Sequence, residues 1–267
     1  TVKRRLLKKE NALAVDIGSN DGLLLSCYQK EGLRAVGVDP AKNLAEEANK
    51  KGLTTINDYF GAASVEKIIR EHGKASAISG NNVFAHIDNI QDVLKNVKTL
   101  LDPQGFFVIE FPYFVTMIED LVFDMTYHEH LSYINVAPLQ WVLNHFDMEI
   151  FAIEKVASHG GSLRVFSQHK GAGYKIEPLV KELLEREKTH GFNTEKVQAE
   201  FAGRVLEVRK KLLGFASDAK KSGKTISGYG APAKAKRVWI LDLAANAWKP
   251  GTTSPPLPGA ELWFLSL

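Results

Sequence analysis

Short apolar runs alternate with amphipathic stretches through the first two-thirds of the chain, and that rhythm predicts strands and helices taken in turn. The candidate strands are Leu13 to Ile17, Ala35 to Val38, Thr54 to Ile56, Ala75 to Ser79 and Phe106 to Glu110. Helical patterns fill the spaces near 21–31, 42–51, 62–72 and 89–101. Gly32, Gly52, Gly73 and Gly105 stand where each helix hands over to the next strand, as C-terminal caps do. Repetition of the unit in one order predicts an α/β fold with a mostly parallel sheet. Two further apolar runs, Glu149 to Val156 and Ser162 to Gln168, predict an antiparallel pair that closes it.

From about 176 to 222 the pattern is long, charged and helical. A glycine-punctuated run, Thr225-Ile-Ser-Gly-Tyr-Gly, reads as the start of a second α/β unit. Past Lys234 the pattern changes again: Pro250-Gly-Thr-Thr-Ser-Pro-Pro-Leu-Pro-Gly suits neither a helix nor a central strand. The expected organisation is therefore a cofactor-binding domain over 1–170, a helical segment with a partial α/β unit over 171–234, and a divergent tail, disordered or truncated, over 235–267.

Composition changes this picture little. With 267 residues, 45% of them hydrophobic and 24% charged, a sizeable core is available. The net charge of +3 is too small for a general nucleic-acid binder. The most basic stretch, Lys3-Arg-Arg with Lys8-Lys9, surrounds Leu6-Leu7 and reads as a solvated amphipathic helix. Cys27 is the single cysteine, which excludes an internal disulfide and a multi-cysteine zinc site. No apolar run approaches the ~18 residues of a membrane span, and no signal-peptide core opens the chain. The expected location is the cytoplasm, with neither a membrane nor a nucleic acid as partner.

The chemistry begins at Val15-Asp-Ile-Gly-Ser-Asn-Asp-Gly, where the first strand ends and the first helix opens. Ligands of open α/β sheets sit at the carboxyl ends of the strands. Gly18 and Gly22 permit a tight turn, and Asp39 closes the second strand 21 residues after Gly18, where a carboxylate can accept both ribose hydroxyls. NAD would use the same layout, so charge must separate the two. Asp16 and Asp21 oppose a pyrophosphate at the helix N-terminus but suit a ligand with an ammonium and a sulfonium. Asn20 also stands where a dinucleotide fingerprint needs its second glycine. The expected cofactor is S-adenosyl-L-methionine, held by Asp16, Gly18, Asn20, Asp21, Gly22, Asp39 and, after the fourth strand, Asn82. Asp21 also suits a helix cap.

The fourth strand runs into Ser79-Gly-Asn-Asn-Val-Phe-Ala-His86 and the fifth into Glu110-Phe-Pro-Tyr113. Shortly afterwards comes Tyr127-His-Glu-His-Leu-Ser-Tyr133, dense in titratable groups. Histidine suits proton transfer at neutral pH, and tyrosine can donate to an oxyanion. A metal read through His128, Glu129 and His130 lacks a further ligand of convincing spacing, so none is expected. Acid–base work at a carbon next to a carbonyl fits better.

The strings Asp16-Ile-Gly-Ser-Asn-Asp-Gly, Tyr127-His-Glu-His-Leu-Ser-Tyr, His159-Gly-Gly-Ser-Leu-Arg and Gly228-Tyr-Gly-Ala-Pro-Ala-Lys resemble those of the nucleoside-diphosphate-sugar C-methyltransferases. The resemblance runs from about 11 to 234. It implies a Rossmann-like class I methyltransferase sheet followed by a helical segment and a partial second α/β unit. It also implies methylation of a ring carbon of a nucleotide-linked keto-deoxysugar. His130 would be the base that removes the proton next to the ketone, with Tyr127, Glu129 and His86 beside it. Arg164, Tyr229 and Lys234 would bind the nucleotide-sugar substrate, and a glycine-rich loop carrying Lys suits a diphosphate. The family's N-terminal zinc domain has no counterpart here, and residues past Lys234 depart from its pattern. O- or N-methylation of another small molecule, and a non-catalytic cofactor-binding remnant, are the alternatives.

Overall fold

The computed structural model describes residues 2–7, 10–126, 129–192 and 194–225, with the strand backbones at 238–242, 247–250 and 263–265. A short helix α1 (Val2–Arg5) precedes β1 (Leu13–Ile17), α2 (Leu23–Lys30), β2 (Arg34–Val38), α3 (Lys42–Lys50), β3 (Thr55–Ile56), α4 (Ala62–His72) and β4 (Ala75–Asn81). Then follow α5 (Ile90–Leu100), β5 (Leu101–Pro112), α6 (Phe114–Glu119), α7 (Val136–His145), β6 (Met148–Val156), β7 (Ser162–His169), α8 (Pro178–His190) and α9 (Glu195–Lys221). Every expected strand from β1 to β4 and every expected helix from α2 to α5 is present within two residues at each end.

The strands form one seven-stranded sheet in the order β3-β2-β1-β4-β5-β7-β6. Strands β1 to β5 run parallel, β7 is antiparallel to β5, and β6 is antiparallel to β7. The expected antiparallel closing pair is thus confirmed. The chain leaves β1 toward β2 and β3, then returns to β4 and β5 on the other side. Between β1 and β4 the sheet therefore has a switch point, where two loops splay apart at the carboxyl edge and leave a crevice.

Burial explains why these segments are strands. All five residues of β1 are buried, as in a strand covered by helices on both faces. On α5 the buried Val93, Leu94, Val97 and Leu100 make one stripe, and the Asn89 side chain accepts the Asp92 N–H at 3.0 Å to cap its start. Phe106, Phe151 and Phe166 meet edge-on or tilted between β5, β6 and β7, and Tyr174 stacks on Phe151 at 4.4 Å.

Two details differ from expectation for clear reasons. Gly105 is not a cap: it lies inside β5, where a Cβ would stand 2.8 Å from the carbonyl oxygen of Ala75. Only glycine allows the two backbones that approach. Arg5 is not solvated either. Its guanidinium donates to Glu177 at 2.7 Å and Glu154 at 3.1 Å, and lies 4.4 Å above the Phe166 ring.

The chain divides into two units, residues 1–122 with 128–193, and residues 123–127 with 194–267. The first holds the sheet and α8. In the second, α9 is 27 residues long. Within the expected divergent tail, β8 (Val238–Asp242), β9 (Ala247–Pro250) and β10 (Trp263–Leu265) pair antiparallel in the order β10-β8-β9. The expected strand from 225 and the loop to Lys234 lie almost wholly outside the described residues. Among the described residues no helix is long and apolar enough to cross a membrane.

Candidate active site

Three chain reversals meet at the carboxyl edge: the turn after β1, the end of β2 and the end of β4. Gly18 adopts φ +70, and its N–H donates to the Val38 carbonyl at 2.9 Å, which ties the turn to β2. A Cβ at Gly18 would stand 2.5 Å from Cγ1 of Val83, so the turn also closes on the segment after β4. Asn20 adopts φ +52, and its N–H donates to Oδ2 of Asp39 at 2.7 Å. Oδ1 of Asp39 takes the Ala41 N–H at 2.8 Å, and Asn57 braces the same corner by donating to the Asp39 and Pro40 carbonyls at 3.0 and 3.1 Å.

Asp16 points from the buried end of β1 toward β4, where Ser79 Oγ donates to its Oδ1 at 2.6 Å. Burial, more than the nearby Asp39, pushes the Asp16 carboxyl up to about 7. Gly22 ends the turn in the left-handed region as the N-cap of α2. Asp21 lies at the surface, accepts the Leu23 N–H at 3.3 Å and sits 3.6 Å from Lys51. It thus does take part in capping. The seven expected cofactor residues come from three loops and are gathered along one edge.

Asn82 also has a left-handed backbone, φ +55, and its N–H donates to the Glu110 carbonyl at 2.7 Å. Its Oδ1 and the hydroxyl of Ser19 are buried without a hydrogen-bond partner among the described residues. A buried acceptor left unmade costs about 1–3 kcal/mol, so its place in a folded chain calls for a donor from outside. An ammonium or a sugar hydroxyl is such a donor. The residues present therefore fit a cationic nucleoside.

Beyond Asn82 a short turn carries Phe84 to His86, and residues 129–132 dock on it. The N–H groups of Leu131 and Ser132 donate to the Ala85 carbonyl at 2.7 and 3.3 Å. Nδ1 of His86 lies 2.8 Å from the Glu129 carbonyl oxygen. A carbonyl only accepts, so Nδ1 carries the hydrogen and Nε2 is the basic nitrogen. The rings of His86 and His130 meet edge-on at 5.0 Å, and Tyr133 lies 6.2 Å beyond His130. His86, Glu129 and His130 are thus brought together. Tyr127, His128, Tyr229 and Lys234 lie outside the described residues.

Arg164 on β7 stands across from Glu110 on β5 and donates to it through Nε and Nη2 at 3.1 and 2.7 Å. Its Nη1 donates to Glu154 at 3.3 Å. With Tyr28, Ser79, Asn81 and Glu110 it lines a cavity of about 600 Å³. Spacing alone did not single out Tyr28, Ser79 or Asn57. The signal for Ser79 was a polar residue in the otherwise apolar run Ala75-Ser-Ala-Ile-Ser, but its partner becomes visible only when β1 and β4 pair Asp16 with Ser79.

Comparison with known proteins agrees with the fold. A methyltransferase-domain family model matches residues 2–153, and a C-methyltransferase C-terminal domain model matches residues 157–241. The chain is 38% identical over 222 residues to the C-methyltransferase NovU of Streptomyces niveus, covering 83% of this chain and 53% of that protein. It thus spans about half the length of that relative. Among solved structures, a methyltransferase in complex with the Trm112 activator of Haloferax volcanii superposes with a TM-score of 0.50 at 12% identity. The match covers 63% of this chain and 87% of that one, a likeness of fold alone.

Proposed function

The chain belongs to the methyltransferase family, a methyltransferase domain followed by a C-methyltransferase C-terminal domain, and from that premise we propose that it methylates a carbon atom with S-adenosylmethionine as donor. The substrate is a nucleoside-diphosphate keto-deoxysugar, activated as its enolate. The observation that carries this reading is the meeting of His86, Glu129 and His130 next to the loop that bears Asn82.

When bound, S-adenosylmethionine supplies a methyl group made electrophilic by sulfonium. The chain's own residues hold it and prepare the acceptor. Asp39 keeps lone pairs after taking the Asn20 and Ala41 amides, and these accept the ribose hydroxyls. Asn82 Oδ1 and the Asp16 carboxylate face the ammonium end.

The carbon next to a ketone is not nucleophilic until its proton leaves. His130 takes that proton, because an imidazole's unperturbed pKa suits proton transfer at physiological pH. The Glu129 carbonyl holds the His86 ring beside it. Tyr127 donates to the enolate oxygen, whose charge grows as the proton departs. Arg164, at the cavity wall, and Tyr229 and Lys234, in the glycine-rich sequence run, bind the nucleotide sugar. The segment 171–234 begins the subdomain that holds it.

Incubating the full-length protein with carbon-13 methyl-labelled cofactor and a nucleotide-linked keto-deoxysugar tests the reading. A labelled methyl bonded to a ring carbon is the expected product. A methoxy or N-methyl signal would assign the other acceptor classes, and no transfer would leave a cofactor-binding remnant.

A further inference from the structure

Three buried polar side chains stand in line between α2 and the cofactor edge. Tyr28 Oη donates to Ser79 Oγ at 3.0 Å, and Ser79 Oγ donates to Asp16 Oδ1 at 2.6 Å. The Val15 carbonyl lies 3.3 Å from the same hydroxyl. Serine has one hydrogen to give, and the shorter bond to a carboxylate takes it. Tyr28, Ser79 and Asp16 are 5%, 2% and 4% exposed, and Tyr28 and Ser79 stand at the wall of the cavity that Arg164 lines. A buried polar chain in an apolar layer is costly unless each member is used. Tyr28 and Ser79 are satisfied by the chain itself. Only Asp16 has an oxygen left, Oδ2, that accepts nothing from the described residues.

We propose that Tyr28 and Ser79 are positioning residues for the cofactor: as a one-way chain of donors they hold the Asp16 carboxylate with Oδ1 committed and Oδ2 presented to a cationic nitrogen, the ammonium at the amino-acid end of the bound cofactor. The proposal rests on the cofactor reading above. The groups facing Asp16 are Ser79 from β4, Asp39 from β2 and Tyr28 from α2, with Arg164 and Cys27 acting on Tyr28 from behind. A hydrogen bond to the charged form favours it, so the chain opposes what burial does to Asp16.

The test is calorimetric titration with S-adenosylhomocysteine, which keeps the amino group, from pH 5.5 to 8.5. Wild type, Ser79→Ala, Ser79→Thr, Tyr28→Phe and Asp16→Asn are compared, with circular dichroism to confirm folding. Wild-type affinity is expected to fall as the pH drops through about 7, where Asp16 gains its proton. Ser79→Ala removes the donor and moves that midpoint up by about one pH unit, with roughly tenfold weaker binding at pH 7. Tyr28→Phe moves it the same way by less, Ser79→Thr restores it, and Asp16→Asn removes the acid limb. If Ser79→Ala does not fold, Tyr28→Phe and Ser79→Thr carry the comparison. Binding with unmoved midpoints in the donor variants overturns the positioning role and leaves the cofactor reading intact. No wild-type binding at any pH overturns both.

Discussion

Oδ2 of Asp39 accepts the backbone N–H of Asn20 at 2.7 Å, so the carboxylate that ends β2 is stitched to the turn that follows β1. The other oxygen takes the Ala41 amide. Asp39 therefore shapes the site as well as offering it a charge. A backbone held in the left-handed region at Asn20 is kept there by this bond.

Removing the carboxylate should be felt in both roles. Losing charge-assisted bonds costs about 2–4 kcal/mol, so Asp39→Ala should weaken S-adenosylhomocysteine binding by roughly 30-fold or more. Asp39→Asn keeps one acceptor oxygen and should lose less. Calorimetry checks both, with NADH as the competing ligand; tight NADH binding without S-adenosylhomocysteine binding would refute the charge argument.

Gly18→Ala faces two separable penalties. The left-handed backbone costs an alanine about 1–2 kcal/mol, and the new methyl would stand 2.5 Å from Val83 Cγ1. Cofactor affinity should fall at least about tenfold. Adding Val83→Ala should recover the steric part only. Full recovery in the double variant would show that the backbone conformation contributes nothing.

Glu187 on α8 is buried, and its carboxylate takes the Val136 and Ala137 N–H groups at the start of α7 at 2.7 and 2.8 Å, with the Tyr113 hydroxyl at 2.7 Å. It is the cap of α7, and its charge complements the helix dipole. Glu187→Ala leaves these donors unmade and should cost about 3 kcal/mol. For a chain of this size that is a fall of roughly 6–12 °C in the melting temperature. A fall under about 2 °C by calorimetric scanning would mean water replaces the carboxylate.

The acid at Asp16 predicts an unusual pH dependence of the ligand-free fold. Its carboxyl is raised from 3.8 to about 7 in the folded state. The folded chain thus holds a proton that the unfolded chain releases across this window, and stability drops as pH rises from about 4 to 7. Asp16→Asn removes the titration. It should match wild type near pH 4 and be more stable by a few kcal/mol at pH 8, as read from urea unfolding. Equal stability at pH 8 would show that Asp16 ionises freely in the fold.

What was legible in the chain follows from how local each signal is. Strands β1 to β4 are legible because burial leaves short, mostly apolar runs set off by glycine and amphipathic stretches. The first residues of β5 are not, since Asp102-Pro-Gln-Gly reads as a turn although it forms a bulged arm against β4. Helix α7 carries Asn135 at its N-cap, but the carboxylate that takes its first N–H groups, Glu187, comes from fifty residues further on and is not visible in the local sequence. The break between α8 and α9 has a local signal, Gly191 as a left-handed C-cap and Thr194 as the next N-cap, but the charged helical patterns on either side read as one stretch. In the site, Asp16, Gly18 and Asp39 were found by their spacing at strand ends. The link from Asp16 to Ser79 and Tyr28 depends on strand register and helix docking, which spacing does not carry.

Solvent-deuterium exchange at the substrate carbon next to the ketone, followed by proton NMR in the full-length protein without methyl donor, tests the central claim most directly. Exchange reports proton removal alone, apart from methyl transfer. Wild type should exchange that proton; His130→Gln should abolish exchange and methylation together, whereas His128→Gln should spare most of both. Undiminished exchange in the His130 variant would contradict the account and return the base to a choice among His128, His86 and Glu129.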